Sequence, residues 1–128
     1  TFYQLHLLFD KNAEEVLESV DLIAERIQML GGVALGMPFD VVERTKIERP
    51  PQGVECVPGM LARTVEAHAT VIRTVREGIE LTNNNKDYGT NDLLMSDLLR
   101  MHEMQMWFVS QHLIDTPAIG EGTGHRAG

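Results

Sequence analysis

The sequence is poor in cysteine, in aromatic residues and in long apolar runs, and each shortage excludes a class of protein. The single cysteine, Cys56, leaves no intrachain disulfide framework and is typical of a reducing compartment. Aromatic residues make up only 5% of the chain, which argues against a β-sandwich. No apolar stretch reaches the roughly 18–20 residues that span a bilayer, and no basic-then-apolar signal peptide stands at the N-terminus. These absences predict a cytoplasmic protein without a membrane segment.

Basic residues are also in short supply. The 128 residues include 19 acidic and 11 basic side chains, which gives a formal net charge of −8 at pH 7. Such a chain is a poor non-specific binder of nucleic acid, because phosphate contacts need lysine and arginine. It is better suited to attracting cations. The length predicts a single domain, and the 43% hydrophobic content is enough to form a core.

Apolar residues at spacings of three and four predict a first long helix over about residues 2–30. Gly31 and Gly32 follow it, and glycines are common just past a helix end. The predicted core stripe of this helix consists of Phe9, Ala13, Val16, Val20, Ile23, Ile27 and Leu30.

Two further long helices are predicted in the second half of the chain. One covers about residues 57–81 and is closed by the polar run 82–85. The other covers about residues 90–114, with Thr90 as its N-cap and Asp92 in its first turn.

The connection between the first two helices, about residues 31–56, is too long for a simple helical hairpin. We therefore expect it to cross the bundle, with a short helix over residues 39–44. Three long helices with one long crossover predict an all-α, ferritin-like four-helix bundle that lacks one helix. The helical domain is predicted over residues 1–115, and residues 116–128, rich in glycine, are predicted to be a flexible tail.

Four side chains on the first helix form a candidate metal site: His6, Asp10, Asp21 and Glu25. On a helical wheel of about 100° per residue they fall between about 240° and 340°, beside a core stripe centred near about 170°. His6 and Asp10 are i,i+4 neighbours, and so are Asp21 and Glu25. Since Asp10 and Asp21 are about 16 Å apart along the helix axis, one helix cannot bring both pairs to one metal ion.

Two antiparallel copies of the helix can join the pairs. A two-fold axis between Glu15 and Val16 places His6 opposite the Glu25 of a second copy, and Asp10 opposite that copy's Asp21. Each dimer would then hold two equivalent sites, each with one imidazole and three carboxylates. Such oxygen-rich ligation favours iron or manganese over structural zinc. Leu17 and Ala24, on the same flank, would supply the apolar part of the interface.

The alternative interpretation of this flank is a solvated acidic face with local ion pairs. Lys11 and Arg26 are near enough in sequence to neutralise it, and charged helix faces are common.

The residues themselves resemble the signature of a known family, the Dps family of miniferritins. On the first helix the resemblance rests on FYQLHLLFD at 2–10, VDLIAERI at 20–27 and LGG at 30–32. On the third helix it rests on GTNDLL at 89–94 and WF at 107–108. The similarity covers about residues 1–115.

This resemblance implies a dodecameric hollow shell built from two-fold dimers. Its ferroxidase site would take His6 and Asp10 from one subunit and Asp21 and Glu25 from the two-fold mate. Ferrous iron would be oxidised there, preferentially by hydrogen peroxide, and ferric mineral would collect inside. The family pattern also has a preceding helix that ends in a His-Trp-Asn run, whose histidine is a further iron ligand. This chain starts after that point, so the first bundle helix is expected to be missing from it.

Other candidate residues have a structural and a functional interpretation. His68 and His102 are most simply surface or satisfied core histidines. Asp87, Asp92 and Asp97 are interpreted as capping and solvated charges, or as the lining of a three-fold pore that draws ferrous ions inward. Trp107 is most simply core packing, and the resemblance places it near the iron site.

Two further functions are weighed against the ferroxidase hypothesis. One is a structural dimerisation module whose acidic flank never binds iron. The other is a DNA-compacting protein, which in this family depends on a lysine-rich tail. The C-terminal tail offers only His125 and Arg126, so we predict no strong DNA binding from the visible residues.

Overall fold

In a computed structural model, residues 1–114 are described, and this part of the chain contains helices and connecting segments but no strand. The long helices are α1 (Phe2–Met29) and α3 (Val57–Asn84), with the short α2 (Pro38–Arg44) between them. The third long helix begins with α4 (Tyr88–Asp92), continues through a π-helical segment (Leu93–Leu99) and ends with α5 (Arg100–Gln111). The all-α prediction is confirmed. The predicted tail, residues 116–128, lies outside the described residues.

α1 ends where the two glycines predicted it would. Gly31 adopts a left-handed φ of +83°, a backbone conformation that glycine reaches without steric strain because it has no Cβ atom. Its amide donates to the carbonyl of Gln28, and the amide of Gly32 donates to that of Ile27. These bonds satisfy carbonyls that a helix end otherwise leaves without partners.

The face of α1 turned to the bundle differs from the predicted stripe. The buried residues of α1 are Leu5, Asn12 and Ser19, whereas Ala13 and Val20 of the predicted stripe are exposed. Apolar periodicity does not detect buried polar residues such as Asn12 and Ser19. The predicted core stripe is therefore rotated about the helix axis away from the face that is buried. Ser19 is tolerated inside because its hydroxyl donates to the carbonyl of Val16.

α1 and α3 run in the same direction, which explains the long connection between them. Leu5 near the start of α1 packs with Leu61 near the start of α3. At the other end, Arg26 of α1 pairs with Asp87, just beyond the end of α3. A 28-residue helix is about 42 Å long, so the chain must travel that distance back before α3 can begin. Glu55 at the end of the connection forms an ion pair with Arg63 of α3.

α3 is three residues longer than predicted. The hydroxyl of Thr82 donates to the carbonyls of Gly78 and Ile79 inside the helix, so it does not break the helix. The chain turns at Lys86, whose φ of 58° is left-handed.

The start of the third helix also corrects a prediction. Its N-cap is Asp87, whose side chain accepts from the amide of Thr90, so Thr90 is inside the helix and Asp92 lies beyond its first turn.

The third helix is not a regular α-helix. Its residues around the π-helical segment keep right-handed helical torsions, so the helix is continuous from Tyr88 to Gln111. A π turn takes more residues than an α turn, and it therefore shifts the face that the following α5 turns inward. Leu98 is the buried residue of this segment.

The apolar core lies where the start of α1, the start of α3 and the end of α5 meet. Leu5, Leu61 and Val109 form a buried cluster, against which Leu8, Phe9 and Val65 pack. Burial of one such aliphatic side chain stabilises a fold by about 1.5–3 kcal/mol. This core fixes the ends of the three helices and so sets the faces of α1. Within residues 1–114, no helix combines the length and apolar composition needed to cross a membrane.

Candidate metal site and its relatives

Two of the predicted ligands lie together at the start of α1. His6 Nε2 is 3.5 Å from Asp10 Oδ2, and the side chains are 55% and 62% exposed. The ring of Phe2 is stacked on the imidazole at a centroid distance of 6.0 Å, nearly parallel to it. The i,i+4 spacing therefore aims an imidazole nitrogen and a carboxylate oxygen at the same exposed point.

The other two predicted ligands, Asp21 and Glu25, are exposed further along α1. Within one chain they are not brought to the first pair. Among the described residues, no set of three or more His, Cys, Asp or Glu side chains converges on a common point. Residues 1–114 of one chain therefore do not complete a metal site at this flank.

The cations that would neutralise this flank are engaged elsewhere. Lys11 Nζ lies 3.6 Å from a carboxylate oxygen of Glu15. Arg26 Nη2 donates to Asp87 Oδ1 at 3.0 Å, and its Nε donates to the hydroxyl of Thr90. Within residues 1–114, neither cation pairs with a carboxylate of the candidate site. Local pairs do form on α1, His6 with Asp10 and Lys11 with Glu15, but among the described residues Lys11 and Arg26 do not neutralise the candidate ligands.

The three candidate pore residues differ in their contacts. Asp87 is the N-cap described above, and hydrogen bonds from Thr90 and then from Arg26 hold the pKa of its carboxyl below the ordinary value. Asp92 accepts from the hydroxyl of Ser96, and Asp97 is exposed. A three-fold pore needs residues of other subunits, so that role stays a prediction.

Trp107 is exposed over more than half of its surface, so it is not the core residue that the simplest interpretation predicted. Its ring lies 5.1 Å from that of Phe108. Both line a groove with Gln4 and Leu8, on either side of His6 in sequence.

The sequence interpretation missed a buried histidine pair. His68 Nδ1 of α3 lies 3.0 Å from His102 Nδ1 of α5. Burial, and then the neighbouring His102, lowers the pKa of His68 to about 4, and burial also lowers the pKa of His102. The sequence carries one signal that His68 is buried, because this residue continues the apolar spacing of Leu61 and Val65 on α3. No pattern in a single sequence pairs two side chains from separate helices.

The buried pair lies in a polar layer, which we call the interior layer and define as Asn12, His68, His102 and Gln105. Gln105 Nε2 donates to the backbone carbonyl of Asn12 and to a carboxylate oxygen of Glu15. Asn12 Nδ2 and Gln105 Oε1 are buried and have no hydrogen-bond partner among residues 1–114. Such atoms are rare in folded proteins and call for an explanation.

Parallel and antiparallel long helices, a crossover with its own short helix and an exposed acid–imidazole flank define a ferritin-type helical bundle. A model of the ferritin-like domain family matches residues 1–119. DpsC from Streptomyces coelicolor is 54% identical and superimposes with a TM-score of 0.89, covering 93% of this chain and 69% of DpsC. The chain belongs to the ferritin-like family and, within it, to the Dps miniferritins.

Two curated relatives place the match in context. An uncharacterized protein in the bpoA2 5′ region of Kitasatospora aureofaciens is 54% identical over 77 residues, which cover 60% of this chain and 51% of that protein. The DNA protection during starvation protein of Halobacterium salinarum is 27% identical over 121 residues, covering 94% of this chain and 66% of that protein. The chain therefore spans between half and two thirds of the length of these two relatives.

Proposed function

We propose that this chain is an iron-storing ferroxidase whose sites form between two copies of α1. His6 and Asp10 of one subunit would bind ferrous iron together with Asp21 and Glu25 of its two-fold mate. The iron is oxidised there and the ferric product is stored as mineral inside a hollow dodecamer. The family membership supports handling of iron in general terms, and the site and the oxidant are our inference.

The observation that carries the proposal is that, within residues 1–114, neither Lys11 nor Arg26 neutralises the carboxylates of this flank. Its carboxylates lie beside an imidazole on an exposed helix face, while Lys11 and Arg26 pair with Glu15 and Asp87 instead. If α1 of a second copy packs antiparallel to this helix, the His6–Asp10 pair of each copy lies opposite the Asp21–Glu25 pair of the other. This follows because the two pairs are placed symmetrically about the point between Glu15 and Val16. Leu17, which is 71% exposed, would be covered by the same approach.

The chemistry of such a site follows from its donor set. Three carboxylates offset the charge of iron, and because anionic oxygen donors stabilise the ferric state more than the ferrous state, they favour loss of an electron. Two ferrous ions give one electron each to one molecule of hydrogen peroxide. Its O–O bond breaks, and uptake of two protons yields two molecules of water. Hydrolysis of the ferric ions then forms the mineral and releases protons.

This chemistry also accounts for protection of DNA, the role for which the Halobacterium relative is named. Ferrous iron and peroxide together generate radicals that cleave DNA, and the reaction consumes both. Direct DNA binding is not needed for such protection. The net charge of −8 counts against it, because binding weakens without lysine and arginine contacts to phosphate.

The first test compares variants in the assembled, metal-free protein. Ferrous iron is added without oxygen, substoichiometric peroxide follows, and the ferric absorbance is recorded. We expect Glu25→Gln to slow oxidation at least tenfold, because an uncharged amide is a poor ligand for ferric iron. Glu80→Gln, an equally exposed glutamate on α3, is the matched control and should leave the rate unchanged.

The competing hypothesis is a dimerisation module without iron chemistry. It predicts equal rates for Glu25→Gln, Glu80→Gln and protein-free buffer. That result would reject the ferroxidase proposal even if the protein forms dimers.

A further inference from the structure

The interior layer contains nitrogen and oxygen donors that take no part in the proposed iron site on α1. His68 and His102 are 9% and 6% exposed, and their rings are tilted by 60° with centroids 5.3 Å apart. Both imidazoles are neutral at pH 7, since burial lowers the pKa of each. A neutral imidazole has one N–H and one lone pair. When both rings carry their proton on Nε2, both Nδ1 lone pairs are free to act as ligands.

The spacing of the two Nδ1 atoms suits adjacent ligands of one ion. Metal–imidazole bonds of about 2.0–2.1 Å to nitrogens 3.0 Å apart subtend an angle of about 90° at the metal. Tetrahedral zinc needs its imidazole nitrogens about 3.3–3.4 Å apart, so the two rings must separate by a few tenths of an ångström when the ion replaces the hydrogen bond.

Gln105 is the candidate third donor, because it lines the same cavity as His68. Gln105 follows His102 by three residues on α5, and therefore shares its face. Gln105 is 2% exposed, yet its Oε1 has no hydrogen-bond partner in the part of the chain that the structure describes. Glu15 and the carbonyl of Asn12 accept from Nε2, which fixes the amide with its oxygen as the free atom.

The layer also borders a cavity. His68, Gln105 and Asn12 line a cavity of about 370 Å³ with apolar residues of α1. This volume admits several water molecules, which would complete the coordination of an ion.

We propose that His68 Nδ1, His102 Nδ1 and Gln105 Oε1 form a second metal site, inside the bundle, for a divalent ion that prefers imidazole, such as Zn²⁺. The α1 flank offers three carboxylates to each iron, whereas the interior layer offers two imidazoles and a neutral amide. This donor set selects zinc, copper or nickel over magnesium or calcium. The proposal does not depend on ferroxidase activity.

Zinc binding to the assembled protein tests this proposal. The flank is first disabled by Asp21→Asn and Glu25→Gln, and the metal-free protein is titrated with Zn²⁺ at pH 7 by calorimetry. We expect about one zinc ion per chain, and an affinity lowered at least tenfold by His68→Gln. Gln105→Glu keeps an oxygen donor and should retain binding, whereas Gln105→Leu should weaken it. His112→Gln, an exposed histidine at the C-cap of α5, is the matched control.

X-ray absorption at the zinc edge provides a measurement that needs no histidine variant to fold. The zinc-loaded double variant should show two imidazole ligands at about 2.0–2.1 Å. A spectrum without paired imidazoles, or a titration that His68→Gln leaves unchanged, would overturn the proposal.

Discussion

On the outer flank of α1, His6 lies beside Asp10 with more than half of each side chain exposed. Inside the bundle, His68 lies against His102 with less than a tenth of each residue exposed. The flank is rich in charge and remains open to a partner, whereas the interior layer has lost most of its water and is neutral. The same imidazole group therefore lies in two different environments, in which solvent and neighbouring side chains decide its partners.

The flank of α1 and the interior layer also differ in how much they contribute to folding stability. Exposed charges contribute little to folding, so the flank is free to be used for binding. Buried polar groups cost free energy unless their hydrogen bonds are made, so the interior layer is tied to stability. Substitutions in the two regions should consequently affect different measurements.

The largest effect on stability is expected from His102→Ala. It leaves a cavity and removes the partner of His68 Nδ1, so the free energy of unfolding should fall by about 2–4 kcal/mol. Urea unfolding of the assembled protein measures this value. Glu25→Gln on the flank should change it by no more than about 0.5 kcal/mol. Equal effects of the two substitutions would contradict the distinction between the regions.

A smaller effect is expected from acidification. The pKa of His68 is about 4 in the folded chain, below its ordinary value of 6.5, so the unfolded chain takes up the proton first as the pH falls. The free energy of unfolding should therefore decrease by about 2–3 kcal/mol between pH 6.5 and pH 4, and be fully recovered above that window. In His68→Gln the slope over this window should be shallower. Parallel curves for the two proteins would show that His68 is not the titrating group.

The smallest effect is expected from Asp87→Ala, which removes the N-cap of α4 and the ion pair with Arg26. A small loss of stability is expected, because the amide of Thr90 loses the side chain that accepts its hydrogen bond. Because the pKa of Asp87 is held below its ordinary value, this contribution is present at neutral pH and is lost as the pH falls through that lowered value. Thermal unfolding measures it, with the exposed Asp97→Ala as control. If Asp97→Ala also lowers stability, capping does not explain the effect.

Much of the helical framework was predictable, because it follows from local physics. Apolar spacing located the long helices, and Gly31 marked the end of α1. The short helix predicted over residues 39–44 is confirmed, and α2 begins one residue earlier, at Pro38. The N-cap was misplaced because Asp87 and Thr90 are both good capping residues, and only the fold decides between them. The π-helical segment has no signal in apolar spacing, since Leu93–Leu99 fits an α pattern equally well.

The two candidate sites differ in the same way. His6 and Asp10 are four residues apart, so their meeting follows from helix geometry alone. The contact of His68 with His102 spans 34 residues and depends on how α3 packs against α5. The joining of the two flank pairs depends on a second chain and remains a prediction.

Mixed shells test that central prediction most directly. Shells made only of His6→Ala chains or only of Glu25→Gln chains are expected to oxidise ferrous iron very slowly. Co-assembly of equal amounts places the two kinds of chain in the same dimers. In each mixed dimer one site collects both defects and the other is intact. Oxidation of ferrous iron by peroxide should then recover to about a quarter of the wild-type rate under random pairing. If the mixed shells remain as inactive as either parent, the four residues do not form a site shared across a two-fold interface.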